Sequence, residues 1–116
     1  MIRSHTLIAS ALVLLGTCNI IAIARADIRI TSDGGGSYSA YFAKVEQARA
    51  SGERVVIDGP CNSGCTLYLR LPANQICATA RGSFGFHAVR DERFPWPEPD
   101  ATLEVFRSYP PAVQIA

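Results

Sequence analysis

A serine and a histidine stand where their side chains could share a proton. Ser63 lies within Gly-Pro-Cys-Asn-Ser-Gly-Cys-Thr at 59–66, shortly after the apolar run Val55–Ile57. His87 ends a later segment, Ser-Phe-Gly-Phe-His. A serine hydroxyl is a weak nucleophile until a neighbouring imidazole accepts its proton. The pair therefore predicts nucleophilic hydrolysis, with Ser63 as the nucleophile and His87 as the general base.

A glycine-rich turn precedes both residues. Residues 32–37 read Ser-Asp-Gly-Gly-Gly-Ser. Backbone N–H groups in such a turn can point at the negative oxygen that forms when a carbonyl is attacked. The alternative is that this turn only connects a strand to a helix.

The elements around the turn predict a βαβ unit. Ile28–Thr31 alternates as a short strand does, and the β-branched run Val55–Ile57 is typical of a strand covered on both faces. Between them, apolar residues recur at helical spacing until Gly52, a natural helix end. These residues are Tyr38, Tyr41, Phe42, Val45 and Ala48. The order predicts an α/β fold with a mostly parallel sheet.

Three shorter elements follow the serine. Cys65–Leu71 suits a short helix that Pro72 ends. Ile76–Thr79 and Ser83–His87 are strand candidates, divided by an Arg-Gly pair. Together they would place the histidine at the end of a strand.

The last part of the chain changes in composition. Residues 90–100 are charged and rich in proline, which is typical of a solvated loop. We expect Trp96 within it to pack onto the core rather than to anchor a peptide. A final helix is predicted over 101–109, capped by Asp100.

With these parts in order, the chain resembles the Clp protease proteolytic subunit, within the wider Clp/crotonase-like superfamily. Three segments carry the resemblance: Ile-Thr-Ser-Asp-Gly-Gly-Gly-Ser at 30–37, Val-Ile-Asp-Gly-Pro-Cys-Asn-Ser-Gly-Cys at 56–65, and Phe-Gly-Phe-His at 84–87. Together they cover roughly residues 28–88. The resemblance implies a partial spiral of ββα units with a mostly parallel sheet.

The same resemblance implies the roles of individual residues. Ser63 matches the nucleophile of the family and His87 matches its general base. Gly35 and Gly36 in the turn, and Gly64 after the serine, match the backbone donors of the oxyanion hole. A helix N-terminus behind the serine would add its positive dipole end where negative charge develops.

Two departures from the family pattern stand out. The family has a third catalytic residue, an acid that comes well after the histidine and orients it. The acids after His87 lie in no recognisable motif; they are Asp91, Glu92, Glu98, Asp100 and Glu104. The family's sheet also continues beyond the histidine, so we expect this chain to be a truncated version of a longer pattern.

The N-terminal segment predicts export. Residues 6–24 are almost wholly apolar, and Ala24-Arg25-Ala26 has the small residues of a cleavage site. We predict a signal peptide over 1–26, a single domain over 27–116, and a periplasmic or secreted mature protein without a stable membrane anchor. A retained anchor is the alternative.

Charge narrows the class of partner. The chain has 11 basic and 10 acidic residues, and removal of Arg3 and Arg25 would leave 9 basic residues against 10 acidic ones. This balance provides no surface for nucleic acid. We expect a peptide or protein substrate and, because a chain this short buries only a small core, a possible homo-oligomer.

The cysteines agree with an oxidising compartment. Cys61, Cys65 and Cys77 follow the predicted leader, and an odd number predicts one disulfide and one spare thiol. Pairing of Cys65 with either of the other two stays open. A zinc set with His87 or thiol redox chemistry is the alternative, but the C-x₃-C spacing is typical of neither. We therefore expect no metal and no cofactor.

Simpler interpretations compete with catalysis. Ser63 could be the N-cap of the helix that follows it, and His87 could be a half-buried structural histidine. The runner-up function is accordingly a catalytically silent Clp/crotonase-like protein of the periplasm that binds a partner or assembles.

Overall fold

The computed structural model of the protein describes residues 27–90, 93 and 96–114. The predicted signal peptide over 1–26 lies outside the described residues. Within the described part, no helix combines the length and the apolar character needed to cross a membrane.

Short strands and helices alternate along the described chain. In order they are β1 (Ile28–Ile30), α1 (Tyr38–Ser51), β2 (Val55–Ile57), β3 (Pro60–Asn62), the 3-10 helix η1 (Ser63–Arg70), β4 (Ile76–Ala78), β5 (Ser83–Gly85), α2 (Pro99–Ser108) and α3 (Pro111–Gln114). The fold is mixed α/β, as the sequence predicts.

All the strand pairs are parallel. One sheet has the order β1-β2-β4, and a second sheet pairs β3 with β5. Asp33 adds a parallel bridge to Cys61 on the other side of β3. Three segments of chain therefore pass from the first sheet into the second, and a helix follows each of them.

The core forms where α1 and η1 cover the strands. β2 is fully enclosed, with Val55 and Ile57 at 0% exposure and Val56 at 3%, which confirms the prediction of a strand covered on both faces. Gly52 ends α1 in the left-handed conformation, as predicted. The buried apolar cluster is Ile30, Tyr41, Val45, Ala48, Val55, Ile57, Cys61, Cys65, Leu67, Tyr68, Leu71 and Tyr109.

A buried carboxylate joins the carboxyl ends of the first sheet. Asp58, directly after β2, is 4% exposed. It accepts hydrogen bonds from Thr79 Oγ1 at 2.6 Å and from Arg81 Nε and Nη2 at 3.0 and 2.5 Å, and it also pairs with Arg29 on β1. These bonds, led by those from Arg81 and Thr79, hold the pKa of Asp58 well below its usual range. The ionised side chain thus fixes three segments to one another.

The structure corrects several local expectations. Residues 60–62 form a strand that the sequence analysis read as part of the serine turn, because its hydrogen-bond partners come from distant segments. The helix after them begins at Ser63 rather than Cys65 and is of the 3-10 type. The N-cap of α2 is Glu98, not Asp100, which lies in the first turn. Trp96 is 66% exposed, so it does not pack onto the core.

Candidate active site

The three sequence-predicted parts of the site meet at one edge of the second sheet. Asn62 on β3 pairs with Gly85 on β5, and Asp33 runs parallel to β3 on its other side. Parallel strands end at the same edge, so the residues that follow each strand converge there. Ser63 comes one residue after this register, and His87 comes two residues after it.

Gly85 leaves space for the side chain of Asn62. A Cβ at this position would lie 2.2 Å from Asn62 Oδ1. A larger residue would therefore displace the exposed Asn62 side chain beside the serine.

Ser63 and His87 are joined by a hydrogen bond of 2.7 Å between Oγ and Nε2. The other ring nitrogen, Nδ1, lies 2.6 Å from the carbonyl oxygen of Ala88. A carbonyl oxygen only accepts, so Nδ1 carries the proton and Nε2 of the neutral ring accepts from the serine hydroxyl. The imidazole therefore has the tautomer that a general base needs.

The backbone of Ser63 adopts a conformation that is uncommon for a residue with a side chain. Its φ is +53°, in the left-handed region. Strain of this kind persists only where the surroundings impose it, and it clusters at functional sites. A serine on a sharp strand-to-helix turn points its hydroxyl beyond the end of the strand.

A disulfide spans that turn. Cys61 and Cys65 are bonded, with a Cα–Cα distance of 5.3 Å, and they flank Ser63 on both sides. The N-cap of η1 is Asn62, so the interpretation of Ser63 as a helix N-cap is wrong. Its side chain bonds His87 instead of the helix backbone.

Gly35, in the glycine turn, packs closely against the turn that contains Ser63. A Cβ on Gly35 would lie 2.4 Å from Ser63 Cβ and 2.9 Å from the backbone nitrogen of Gly64, and its φ is +87°. The glycine turn is therefore in direct contact with the serine. A turn that supplies backbone N–H donors to the site must lie this close to the serine.

Asp33 holds the glycine turn and alters the expected donor set. Its Oδ1 accepts from the N–H of Gly35 at 2.8 Å and from the hydroxyl of Tyr41 at 2.5 Å. The N–H of Gly35 is thus already bonded, contrary to the expectation that it points at an oxyanion. Gly36 and Gly64 remain as candidate donors, and Gly64 lies in the first turn of η1, where N–H groups have no partner in the helix.

Tyr41 links the turn to the core. It is 6% exposed on α1, and a Cβ on Gly64 would lie 2.6 Å from its ring. Burial, followed by the hydrogen bond to Asp33, raises the pKa of Tyr41 to about 12. Its hydroxyl therefore stays protonated and keeps donating to the carboxylate.

A buried hydroxyl chain supports the serine from the C-terminal side. Thr66 Oγ1 donates to the carbonyl oxygen of Ser63 at 2.7 Å and lies 2.6 Å from the hydroxyl oxygen of Tyr109. Because the single Thr66 proton goes to the carbonyl, the Tyr109 hydroxyl donates to Thr66. The ring of Phe86 packs edge-on against Tyr109 with centroids 5.5 Å apart. Tyr109, at the C-terminal end of α2, therefore contacts the serine turn through Thr66 and the segment before His87 through Phe86.

A cleft of about 510 Å³ opens beside the serine and histidine. Its floor includes Gly36, Ser63, Gly64 and His87. Much of its wall is apolar: Tyr38, Leu67, Phe86, Val89, Val105, Phe106 and Tyr109. The cleft has room for an acyl chain or a side chain next to the hydroxyl of Ser63.

No carboxylate among the described residues contacts the ring of His87. The Ala88 carbonyl takes the place behind Nδ1, and Asp91 and Glu92 lie outside the described residues. The sequence shows no acid in a recognisable motif after His87. The supporting roles of Asp33, Tyr41, Thr66 and Tyr109 were not predicted from the sequence. Only Asp33, within the Ser-Asp-Gly-Gly-Gly-Ser turn, had a local signal.

The cysteines settle one alternative. Because Cys61 and Cys65 are joined in a disulfide, they have no thiolates with which to bind zinc beside Cys77 and His87. Cys77 does not pair with Cys65. None of the described cysteines is free, so the expected spare thiol is not found.

No protein-family model matches this chain, and neither a curated protein nor a solved structure matches it. The resemblance to the Clp/crotonase-like superfamily therefore stays a prediction.

Proposed function

We propose that the protein is an exported serine hydrolase that acts by acyl transfer on peptide or ester substrates. The observation that carries the proposal is the 2.7 Å hydrogen bond between Ser63 Oγ and His87 Nε2, with the ring in the tautomer that accepts a proton. The strained turn at Ser63 and the adjoining cleft support it.

The proposed reaction has two stages, formation of an acyl-enzyme and its hydrolysis by water. Ser63 Oγ bonds to the substrate carbonyl carbon while its proton moves to His87 Nε2. The N–H groups of Gly36 and Gly64 stabilise the resulting oxyanion. The carbon–leaving-group bond then breaks, and the leaving group takes the proton from Nε2. Water repeats the sequence on the acyl-enzyme, giving a carboxylic acid and the free Ser63 hydroxyl.

The partner of Nδ1 limits the rate. A carbonyl oxygen stabilises the transient imidazolium less than a carboxylate does, because it carries only a partial charge. Loss of the carboxylate from a complete triad costs roughly 10⁴ in kcat. We therefore expect slow turnover and an acyl-enzyme that can be observed.

Two further features of the proposal are the type of fold and the compartment in which the protein folds. Two successive β–β–helix segments, preceded by β1, the Asp33 bridge and α1, support a partial Clp/crotonase-like spiral. The disulfide across the serine turn supports folding in an oxidising compartment outside the cytoplasm.

Hydrolysis of p-nitrophenyl hexanoate tests the function. We expect the wild type to release nitrophenolate and both Ser63→Ala and His87→Ala to fall to the uncatalysed rate. Ser39→Ala, an exposed change on α1, is the matched control and should behave as the wild type. Equal rates for the wild type and Ser63→Ala would instead favour the catalytically silent binding protein.

A further inference from the structure

The described lining of the cleft beside Ser63 includes a basic side chain and no acidic one. Arg90 lines it, together with the ionisable ring of His87. No aspartate or glutamate belongs to the described lining. Arg90 is exposed, so its charge can be reached by an anion at the edge of the cleft, while the apolar wall binds the rest of a ligand.

The guanidinium of Arg90 has no hydrogen bond or ion pair with any described side chain, whereas other arginines do. Arg29 and Arg81 pair with Asp58, and Arg49 pairs with Glu46. An unpaired guanidinium beside apolar surface has five donors available for a ligand. A carboxylate matches their planar geometry.

The backbone around Arg90 is held in place. Arg90 forms an antiparallel bridge with Pro97. On either side of that bridge, Val89 N–H donates to Thr102 Oγ1 at 2.9 Å, and Glu98 N–H donates to the Val89 carbonyl at 2.8 Å. The backbone beside Arg90 is therefore hydrogen-bonded to the start of α2.

The position of Arg90 sets the distance between an anion and the reacting carbonyl. Arg90 follows His87 by three residues, and three extended residues span at most about 11 Å. A substrate can thus place its carbonyl at Ser63 and a negative group at Arg90 when a short apolar chain separates them.

We propose that the cleft selects acyl substrates whose apolar chain ends in a carboxylate, with Arg90 binding that carboxylate. The proposal rests on the proposed hydrolase function and names its substrate class. Arg90 would determine specificity; it takes no part in the proton transfer.

Matched esters test the selection. The mono-p-nitrophenyl ester of octanedioic acid carries a terminal carboxylate, and p-nitrophenyl octanoate has the same chain length without it. We expect the wild type to favour the anionic ester in kcat/KM by up to about fivefold, the upper value for a charge pair at an exposed site. Arg90→Gln should remove that preference, so that kcat/KM becomes equal for the two esters. Arg107→Gln, an exposed change on α2 outside the cleft lining, is the matched control.

The outcomes separate the two proposals. Turnover of both esters without an anionic preference, or a preference that Arg90→Gln leaves intact, overturns the role of Arg90 and keeps the hydrolase. Failure of the wild type to cleave either ester overturns the substrate class. If a fluorophosphonate probe then also fails to label Ser63, the hydrolase function is lost with it.

Discussion

Replacing Gly35 with alanine would insert a methyl group between the glycine turn and the serine turn. The new Cβ would lie 2.4 Å from Ser63 Cβ, 2.7 Å from the Asn62 carbonyl oxygen and 2.9 Å from the Gly64 nitrogen. Two of these three neighbours are backbone atoms, so no side-chain rotation relieves the contact. The backbone on one side must move.

The expected cost has two parts. A residue with a Cβ in the left-handed region loses about 1–2 kcal/mol, and Gly35 has a φ of +87°. Overpacking of a close contact adds about 1–3 kcal/mol. We therefore expect Gly35→Ala to lower the free energy of unfolding by about 2–5 kcal/mol. A displacement of Ser63 by about 1 Å would also reduce activity on the order of 10²-fold.

Urea unfolding and ester hydrolysis measure the two effects. Gly34→Ala is the matched control, because a Cβ on Gly34 has nothing within 4 Å, and it should unfold within about 0.5 kcal/mol of the wild type. If Gly35→Ala is as stable and as active as Gly34→Ala, the described contact between the two turns is wrong.

Three further predictions concern the groups that support the site. Asp58 has a pKa below its ordinary value of 3.8, so its stabilisation is present above that pH and is lost as the pH falls below it; Asp58→Asn should lower the melting temperature at pH 7 and flatten its decline in acid, whereas Glu104→Gln, an exposed change on α2, should do neither. Tyr41 has a pKa raised to about 12, so stability should decline as the pH rises from 10 towards 12, and thermal melts of Tyr41→Phe should show a smaller decline, because burial also raises the pKa of Tyr68 and Tyr109. Replacing both Cys61 and Cys65 with alanine should lower the free energy of unfolding by about 2 kcal/mol in urea, the loop-closure value for so short a loop; equal stability with and without the disulfide would show that it does not hold the serine turn.

The sequence predicted the elements whose signals are local. Val55–Ile57 is a run of three β-branched residues, and only a buried strand suits it at that length. The helix α1 combines an apolar repeat with a capping serine, Ser37, and a terminal glycine, Gly52. Ser63 and His87 could be paired in advance because a serine nucleophile needs an imidazole base and because the segments that contain them resemble the Clp/crotonase-like motifs.

The features that were missed depend on contacts distant in sequence. β3 has three residues, begins with proline, and exists because Asp33 and β5 pair with it from either side. The bond between Thr66 and Tyr109 joins residues 43 positions apart, and nothing in either local segment announces it. The Gly35 N–H was assigned to an oxyanion because the glycine pattern does not reveal that Asp33 accepts from it first.

The site of a fluorophosphonate adduct shows whether Ser63 is a nucleophile activated by His87. The protein is treated with the probe, digested and mapped by tandem mass spectrometry beside Ser63→Ala and His87→Ala. We expect one adduct on the wild type, located on Ser63 and absent from Ser37 in the same cleft, with labelling slowed by several orders of magnitude in His87→Ala. An unlabelled wild type, an adduct on another serine, or labelling of His87→Ala at the wild-type rate would contradict it.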